Sequence, residues 1–384
     1  MKKLLVAVLA CALVAPAFAA IENVKVTGEI TTLGLLVEPQ GTANASTAIG
    51  NRKGASNRLF VGIGADLVED VSAKITLAHR WVNGATGGTG EDLNTFQGRT
   101  FIAEGFVTVS NIFDALELKV GRQFYGEETS AVMYFGPTNG YAITNDYTSV
   151  DGATLAYSSD HVALTLAYLT PISTGFNAVN DVNIAGADGI LKVNDQIGLQ
   201  AYIYDQRNRA GVTGPNFGFF GVKPTVDLDS FKVSAELAKN YGDVHGWLIK
   251  ADLAIPIEMG SKLVTPHATF LKSNKNFQAY GNYRAGLMFG LLGVVPNGVT
   301  NDRAEVLNAG LCVKPANEGR LGFGFDFYRA RIDGTFRGNS WEAKLIYAHN
   351  DYVSFDLAGA LLTGVNQSLN ESPTAVQVGM NIKF

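Results

Sequence analysis

The feature that most restricts how this chain can fold is a two-residue alternation of apolar and polar side chains, repeated in segments of about ten residues along nearly its whole length. Successive side chains of a β-strand point to opposite faces, so alternation assigns each parity its own surroundings. Val24, Val26 and Ile30 alternate with Lys25, Thr27, Glu29 and Thr31, and Leu59, Val61, Ile63, Ala65 and Leu67 alternate with Arg58, Gly62, Gly64 and Asp66. Near the C-terminus Leu321, Phe323, Phe325 and Phe327 oppose Arg320, Gly322, Gly324 and Asp326, while Trp341, Ala343, Leu345 and Tyr347 oppose Glu342 and Lys344. In a soluble sandwich each apolar face would have to meet a second sheet. A pattern this uniform fits a closed wall with lipid on one side and water on the other better.

The reading is therefore all-β, a transmembrane antiparallel β-barrel of 16 to 18 strands, with 18 slightly preferred. Short connections at 69–70, 158–160, 227–229 and 349–351 alternate with long ones at 38–57, 83–98, 124–149, 170–195 and 362–373. The long ones are rich in Gly, Asn, Thr and Ser, as solvated loops are. Strand parity does not close between residues 170 and 230, where one strand is merged or missed. A further strand is expected over 283–291. Trp81, Tyr168, Trp247, Tyr283 and Tyr347 lie near strand ends, where interfacial aromatic girdles belong.

Both ends of the chain agree with export. Lys2 and Lys3, the apolar run 4–14 and Ala17-Phe18-Ala19 read as a secretory signal over 1–20, leaving 21–384 as a single barrel domain. No other stretch offers 18 uninterrupted apolar residues, so helical spans are not expected. At the far end Val376, Val378, Met380, Ile382 and the terminal Phe384 alternate with Gln377, Gly379, Asn381 and Lys383. This ending resembles the last-strand signal read by bacterial barrel-assembly machinery, which the resemblance implies as a partner beside the lipid bilayer.

Without the signal, 28 of the 30 basic residues remain against 35 acidic ones, a net charge of −7 that does not favour nucleic acid. Cys312 is then the sole cysteine, so neither an internal disulfide nor a cysteine-built metal cage can form. The five histidines are scattered, no hydrolase, phosphate-loop or zinc-protease motif is present, and no catalytic residue, cofactor or metal is assigned. A barrel hydrolase whose site assembles only in the fold stays as the enzyme alternative.

What a pore passes depends on its width and on the charges at its narrowest level. The polar parity carries Arg58, Lys74, Arg80, Lys119, Lys250, Arg284 and Arg320 among its bases and Glu104, Asp252 and Asp326 among its acids. The two signs nearly balance, which suits a lumen laced by cross-strand ion pairs. One stretch is distinctive, Leu116-Glu117-Leu118-Lys119-Val120-Gly121-Arg122-Gln123 followed by Tyr125-Gly126. It resembles barrels of the alginate-export type and the porins related to them. The resemblance implies a monomeric 18-strand barrel whose arginine-rich lumen passes an anionic polysaccharide, with Arg122 and Gln123 as the carried-over positions. Arg122 shares the parity of Leu118 and Val120, so it enters the pore only if a bulge at Gly121 turns it inward. The expected function is passive diffusion of small hydrophilic solutes or ions. The alternative is a surface-exposed interaction protein whose lumen is blocked, with the loop 124–149, Tyr202 and Tyr204 as the blocking groups.

Overall fold

A computed structural model describes residues 21–38, 52–85, 99–128, 130–137, 148–172, 182–208, 214–281, 286–287, 303–315, 319–332, 336–363 and 374–384. The proposed signal segment 1–20 and Tyr283 lie outside the described residues, as does the side chain of Trp81. Eighteen antiparallel strands follow one another round a single sheet. They are β1 (Glu22–Glu38), β2 (Arg52–Val68), β3 (Val71–Ala85), β4 (Arg99–Ile112), β5 (Leu116–Gln123) and β6 (Ser149–Ser158). Next come β7 (Val162–Ile172), β8 (Val182–Lys192), β9 (Ile197–Asn208), β10 (Phe217–Asp227), β11 (Lys232–Gly242) and β12 (Trp247–Ala254, resuming at Ile257–Met259). The wall ends with β13 (Lys262–Ser273), β14 (Ala304–Pro315), β15 (Leu321–Ile332), β16 (Phe336–Ala348), β17 (Val353–Thr363) and β18 (Thr374–Lys383).

β18 returns to β1 in a register running from Glu29 opposite Lys383 to Glu38 opposite Thr374, so the sheet has no free edge. The seam ends at Phe384, whose backbone exchanges hydrogen bonds with Gly28 at 2.7 and 3.0 Å. The Phe384 ring lies over Gly28, and a Cβ there would sit 2.1 Å from the ring. The missing side chain at 28 is what lets the terminal ring lie flat on the wall.

The alternation read from the sequence is the alternation of the wall. Val26, Ile63, Val120, Leu166, Ile203, Leu237, Phe323 and Leu357 face outward and are exposed in the isolated chain, as lipid-facing residues should be. Both termini and the short turns occupy one end, and the long connections the other. Tyr157, Tyr347, Tyr352 and Phe355 face outward near the turn end, while Tyr168 and Trp247 do so toward the loop end.

Two strands were absent from the sequence reading. β8 lies inside the stretch read as the loop 170–195. It pairs along its length with β7 and β9, and these pairings restore the parity. β10 lies between the strands read at 196–205 and 231–241, and it pairs with β9 and β11. Conversely, β13 pairs directly with β14. Of the strand expected over 283–291 only Gly286 and Leu287 are described, and these two are helical rather than extended.

Candidate functional site: a loop-lined constriction

The lumen changes character along its axis. In the turn-side half the inward parity is polar. Toward the loop end it becomes apolar round much of the wall, with Leu33 and Leu35 on β1, Leu169 on β7, Ile184 on β8, Phe217 and Phe219 on β10, Leu271 on β13 and Leu362 on β17 all buried. All of these but Leu33 form one cluster with chain folded inward from two loops. After β5, Tyr125–Gly126 pairs with Tyr134–Phe135 to form a small ribbon, and Ala131, Val132, Met133 and Phe135 pack into the apolar ring. From the connection after β13, Phe277 and Tyr280 join the same cluster. The two loops are tied backbone to backbone. Tyr134 N donates to Tyr280 O at 2.8 Å, and Tyr280 N donates to Val132 O at 2.8 Å. Gly281 is required there, because a Cβ would meet the Ala131 carbonyl carbon at 2.1 Å. The buried Glu342 of β16 holds the same connection further along by accepting from Leu287 N at 2.8 Å.

Beside the ribbon a cavity of about 250 Å³ opens between it and β7 to β11. Its wall carries Asp188 of β8, Gln200 and Tyr202 of β9, Lys223 of β10 and Glu236 of β11, and the ribbon adds Tyr125 and Glu127. Gln200 donates to Asp188 at 2.7 Å, Tyr202 donates to Glu236 at 2.9 Å, and Lys223 pairs with Glu127 at 2.6 Å. The Tyr125 and Tyr204 hydroxyls share a hydrogen bond of 2.8 Å. Burial pushes the Tyr125 hydroxyl up to about 12, so it stays a neutral hydrogen-bonding group.

Most residues singled out from the sequence do face the lumen. Arg58, 1% exposed, approaches Glu29 at 3.4 Å and lies over the Phe60 ring at 4.8 Å. Arg80 stands opposite Arg58 on the same face. Lys74 and Thr76 both donate to Glu104, at 2.7 and 2.8 Å, and Lys119 sits over the Phe106 ring at 5.0 Å. Gln123 is buried against Thr154. Lys250 pairs with Asp252 at 3.0 Å, and Asp252 also accepts from Ser234 and Thr269. Asp326 accepts from Asn308 at 2.8 Å and meets His267 Nε2 at 2.8 Å. Arg320 is exposed just before β15 at the turn end, at the mouth rather than the narrow level. Arg284 lies outside the described residues.

Arg122 is the exception. Gly121 does take a backbone that disfavours side chains, with φ of 131°. Yet the register runs unbroken from Val120 opposite Ala153 to Arg122 opposite Asp151. No residue is inserted, so Arg122 keeps the outward parity of Val120. Its guanidinium grips Asp151 through Nε at 2.8 Å and through a second nitrogen at 3.1 Å, and donates to the Ile102 carbonyl at 3.2 Å. It braces the outside of the wall while its neighbour Gln123 faces the lumen.

Asp188 and Lys223 were not found from the sequence, because each sits on a strand that was not recognised. Among the described inward charges both signs occur on both sides: Arg58, Lys74, Arg80 and Lys119 share β1 to β5 with Glu29 and Glu104, and Asp188, Glu236, Asp252 and Asp326 share β8 to β15 with Lys223 and Lys250.

No family model matches the chain, and no curated protein matches it. Solved structures do. The outer membrane protein OpdK of Pseudomonas aeruginosa superposes with a TM-score of 0.65 at 9% identity, over 94% of this chain and 98% of that one. A BenF-like porin of Pseudomonas fluorescens Pf-5 gives 0.65 at 10%, over 94% and 98%. OccK5 (OpdH) of Pseudomonas aeruginosa gives 0.63 at 11%, again over 94% and 98%. At such identities the likeness is one of architecture: the chain has the fold of the 18-strand outer-membrane porins.

Proposed function

We propose that this chain is a bacterial outer-membrane channel through which small hydrophilic solutes and ions diffuse passively, after export and removal of residues 1–20. The observation that carries this reading is that ionised groups on the inner wall keep their access to solvent. The side chains of Lys74, Asp252 and Asp326 are 41%, 34% and 24% exposed although they point into the barrel. An 18-strand wall is wide enough for an aqueous channel unless loops fill it, and the ribbon with its neighbouring loop narrows that channel. OpdK has been solved with vanillate, a small solute. Size and mixed charge at the constriction favour solutes of that scale over the anionic polysaccharide implied by the stretch 116–126, all the more since Arg122 faces outward.

Purified mature protein in planar bilayers should give stable single-channel steps, with a reversal potential near zero across a salt gradient. A correctly folded barrel that never conducts would overturn the reading. It would favour instead a plugged barrel whose outer loops are its working surface, for which the apolar ring round the inward loops is the supporting observation.

The terminal aromatic belongs to the same proposal as the signal for barrel assembly. Removing Phe384 takes away the ring over Gly28 and the last hydrogen bonds of the seam. The amount of heat-modifiable barrel in outer-membrane fractions should then drop several-fold. Undiminished assembly would remove Phe384 from that role.

A further inference from the structure

At the loop end the outward face of β11, β13 and β15 turns basic. Along β15 the outward residues run Leu321, Phe323, Phe325 and Phe327, then Arg329 and Arg331. β13 goes from Ala268 and Phe270 to Lys272, and β11 from Ala235 and Leu237 to Lys239. Between the last two, Trp247 of β12 stands directly opposite Lys239 and faces outward. Lys239, Arg329 and Arg331 are exposed, and Lys272 lies 3.6 Å from Glu305, the outward acid of β14. Neither Lys239 nor Arg329 pairs with a carboxylate among the described residues.

The opposite end carries both signs, with Lys192, Lys262 and Arg320 exposed there beside a row of turn carboxylates. Asp70, Asp114, Asp160, Asp195, Asp229 and Asp351 are exposed in the short turns. Cations at the upper limit of an apolar band, with an indole among them, meet a membrane at headgroup depth, and what they attract there is anionic headgroup oxygen. The switch from apolar to basic falls at the loop ends of three alternate strands, β11, β13 and β15, with Trp247 of β12 and Glu305 of β14 between them, so the cations share one stretch of the rim rather than scattered sites.

We infer that the outward loop-end face of β11 to β15 binds the phosphate groups of a phosphorylated lipid in the outer leaflet, with Lys239, Lys272 and Arg329 as its cations. The inference rests on the outer-membrane placement, not on conduction. Its test compares retention of a bis-phosphorylated glycolipid with that of its dephosphorylated counterpart by the detergent-purified full barrel, read by native mass spectrometry. Wild type should retain the phosphorylated lipid selectively. The combined Lys239→Gln, Lys272→Gln, Arg329→Gln variant should lose that preference by roughly tenfold or more while its single-channel conductance stays unchanged. Equal retention of both lipids by wild type would overturn the inference whether or not the variant folds. So would a folded variant that keeps the preference. A barrel that conducts but shows no lipid preference would leave the channel reading standing, and a barrel that binds lipid without conducting would leave this one.

Discussion

Replacing Gly281 by leucine should raise single-channel conductance by roughly two- to fivefold, since current through a short aqueous pore follows the area of its narrowest section. The reason is steric and local. A Cβ at 281 would stand 2.1 Å from the Ala131 carbonyl carbon, 2.2 Å from its oxygen and 2.5 Å from Val132 N. All three are backbone atoms of the ribbon, so no side-chain rotation relieves the contact. The opposing forces are small by comparison. Two backbone hydrogen bonds, Tyr134 to Tyr280 and Tyr280 to Val132, tie the loops and contribute about 1 kcal/mol each in net terms, far below the cost of backbone overlap inside 2.5 Å. The loops must part. Gly281 lies outside the strands of the wall, so the strand ladder and its resistance to heat should be retained. Glu342→Gln is the milder companion. It keeps an oxygen for Leu287 N but loses the charge that strengthens that bond, and it should open the pore less. A Gly281→Leu barrel with wild-type conductance would mean that the joined loops do not set the narrow section.

The wall was legible because lipid on one side and water on the other impose a period of two, and no nearby element competes with it. β2 and β15 show this cleanly: Leu59 to Leu67 and Leu321 to Phe327 give one apolar residue at every outward position. β8 was not legible because its outward positions hold Ala185, Ala187 and Gly189. Small residues there blur the apolar parity, and Asp188 with two glycines nearby reads as loop chemistry. β10 failed for the opposite reason. Its inward Phe217 and Phe219 pack on the ribbon while its outward Phe220 and Val222 face lipid, so both parities are apolar, and Pro224 within it argues against a strand. The apolar run at 283–291 misled in turn, because its described apolar residue, Leu287, is buried in the inward loop cluster.

The same physics divides the site into a legible and an illegible part. Lys74, Glu104, Lys250 and Asp252 lie in strands that alternate well, and their inward direction could be read directly. Arg122 could be read only as a choice between parity and bulge, and the structure follows parity: Gly121 distorts its own backbone, but the count of residues between Val120 and Arg122 is unchanged. The cavity at the constriction is joined from β8, β9, β10, β11 and a loop. Such a site has no local spacing to recognise, because residues as distant as Glu127 and Lys223 meet only once the barrel has closed.

That cavity carries the second large effect. The double variant Asp188→Asn, Glu236→Gln should turn a weakly selective pore into one that prefers anions, seen as a shift of the reversal potential across a salt gradient. The substitutions are near-isosteric. The new amide at position 188 still offers a carbonyl oxygen to Gln200, and the one at position 236 still offers a carbonyl oxygen to Tyr202. The hydrogen bonds at 2.7 and 2.9 Å therefore have replacements, and the shape of the constriction is kept. What changes is charge. At about 7 Å in water a unit charge acts on a passing ion with roughly 0.6 kcal/mol, and two removed together shift cations and anions in opposite senses. A several-fold change in the permeability ratio follows at low salt, shrinking as ionic strength rises and the screening length falls to about 10 Å near 0.1 M. Lys223 and Lys250 would remain on the same side beside Glu127 and Asp252, and Arg58, Arg80, Lys74 and Lys119 on the other beside Glu29 and Glu104, so these bases would outnumber the acids paired with them. Neutralising Lys119 and Arg80 on the facing wall should shift the reversal potential toward cations. If both double variants keep the wild-type reversal potential at low salt, ions do not pass between these walls, and the conducting path runs elsewhere in the lumen.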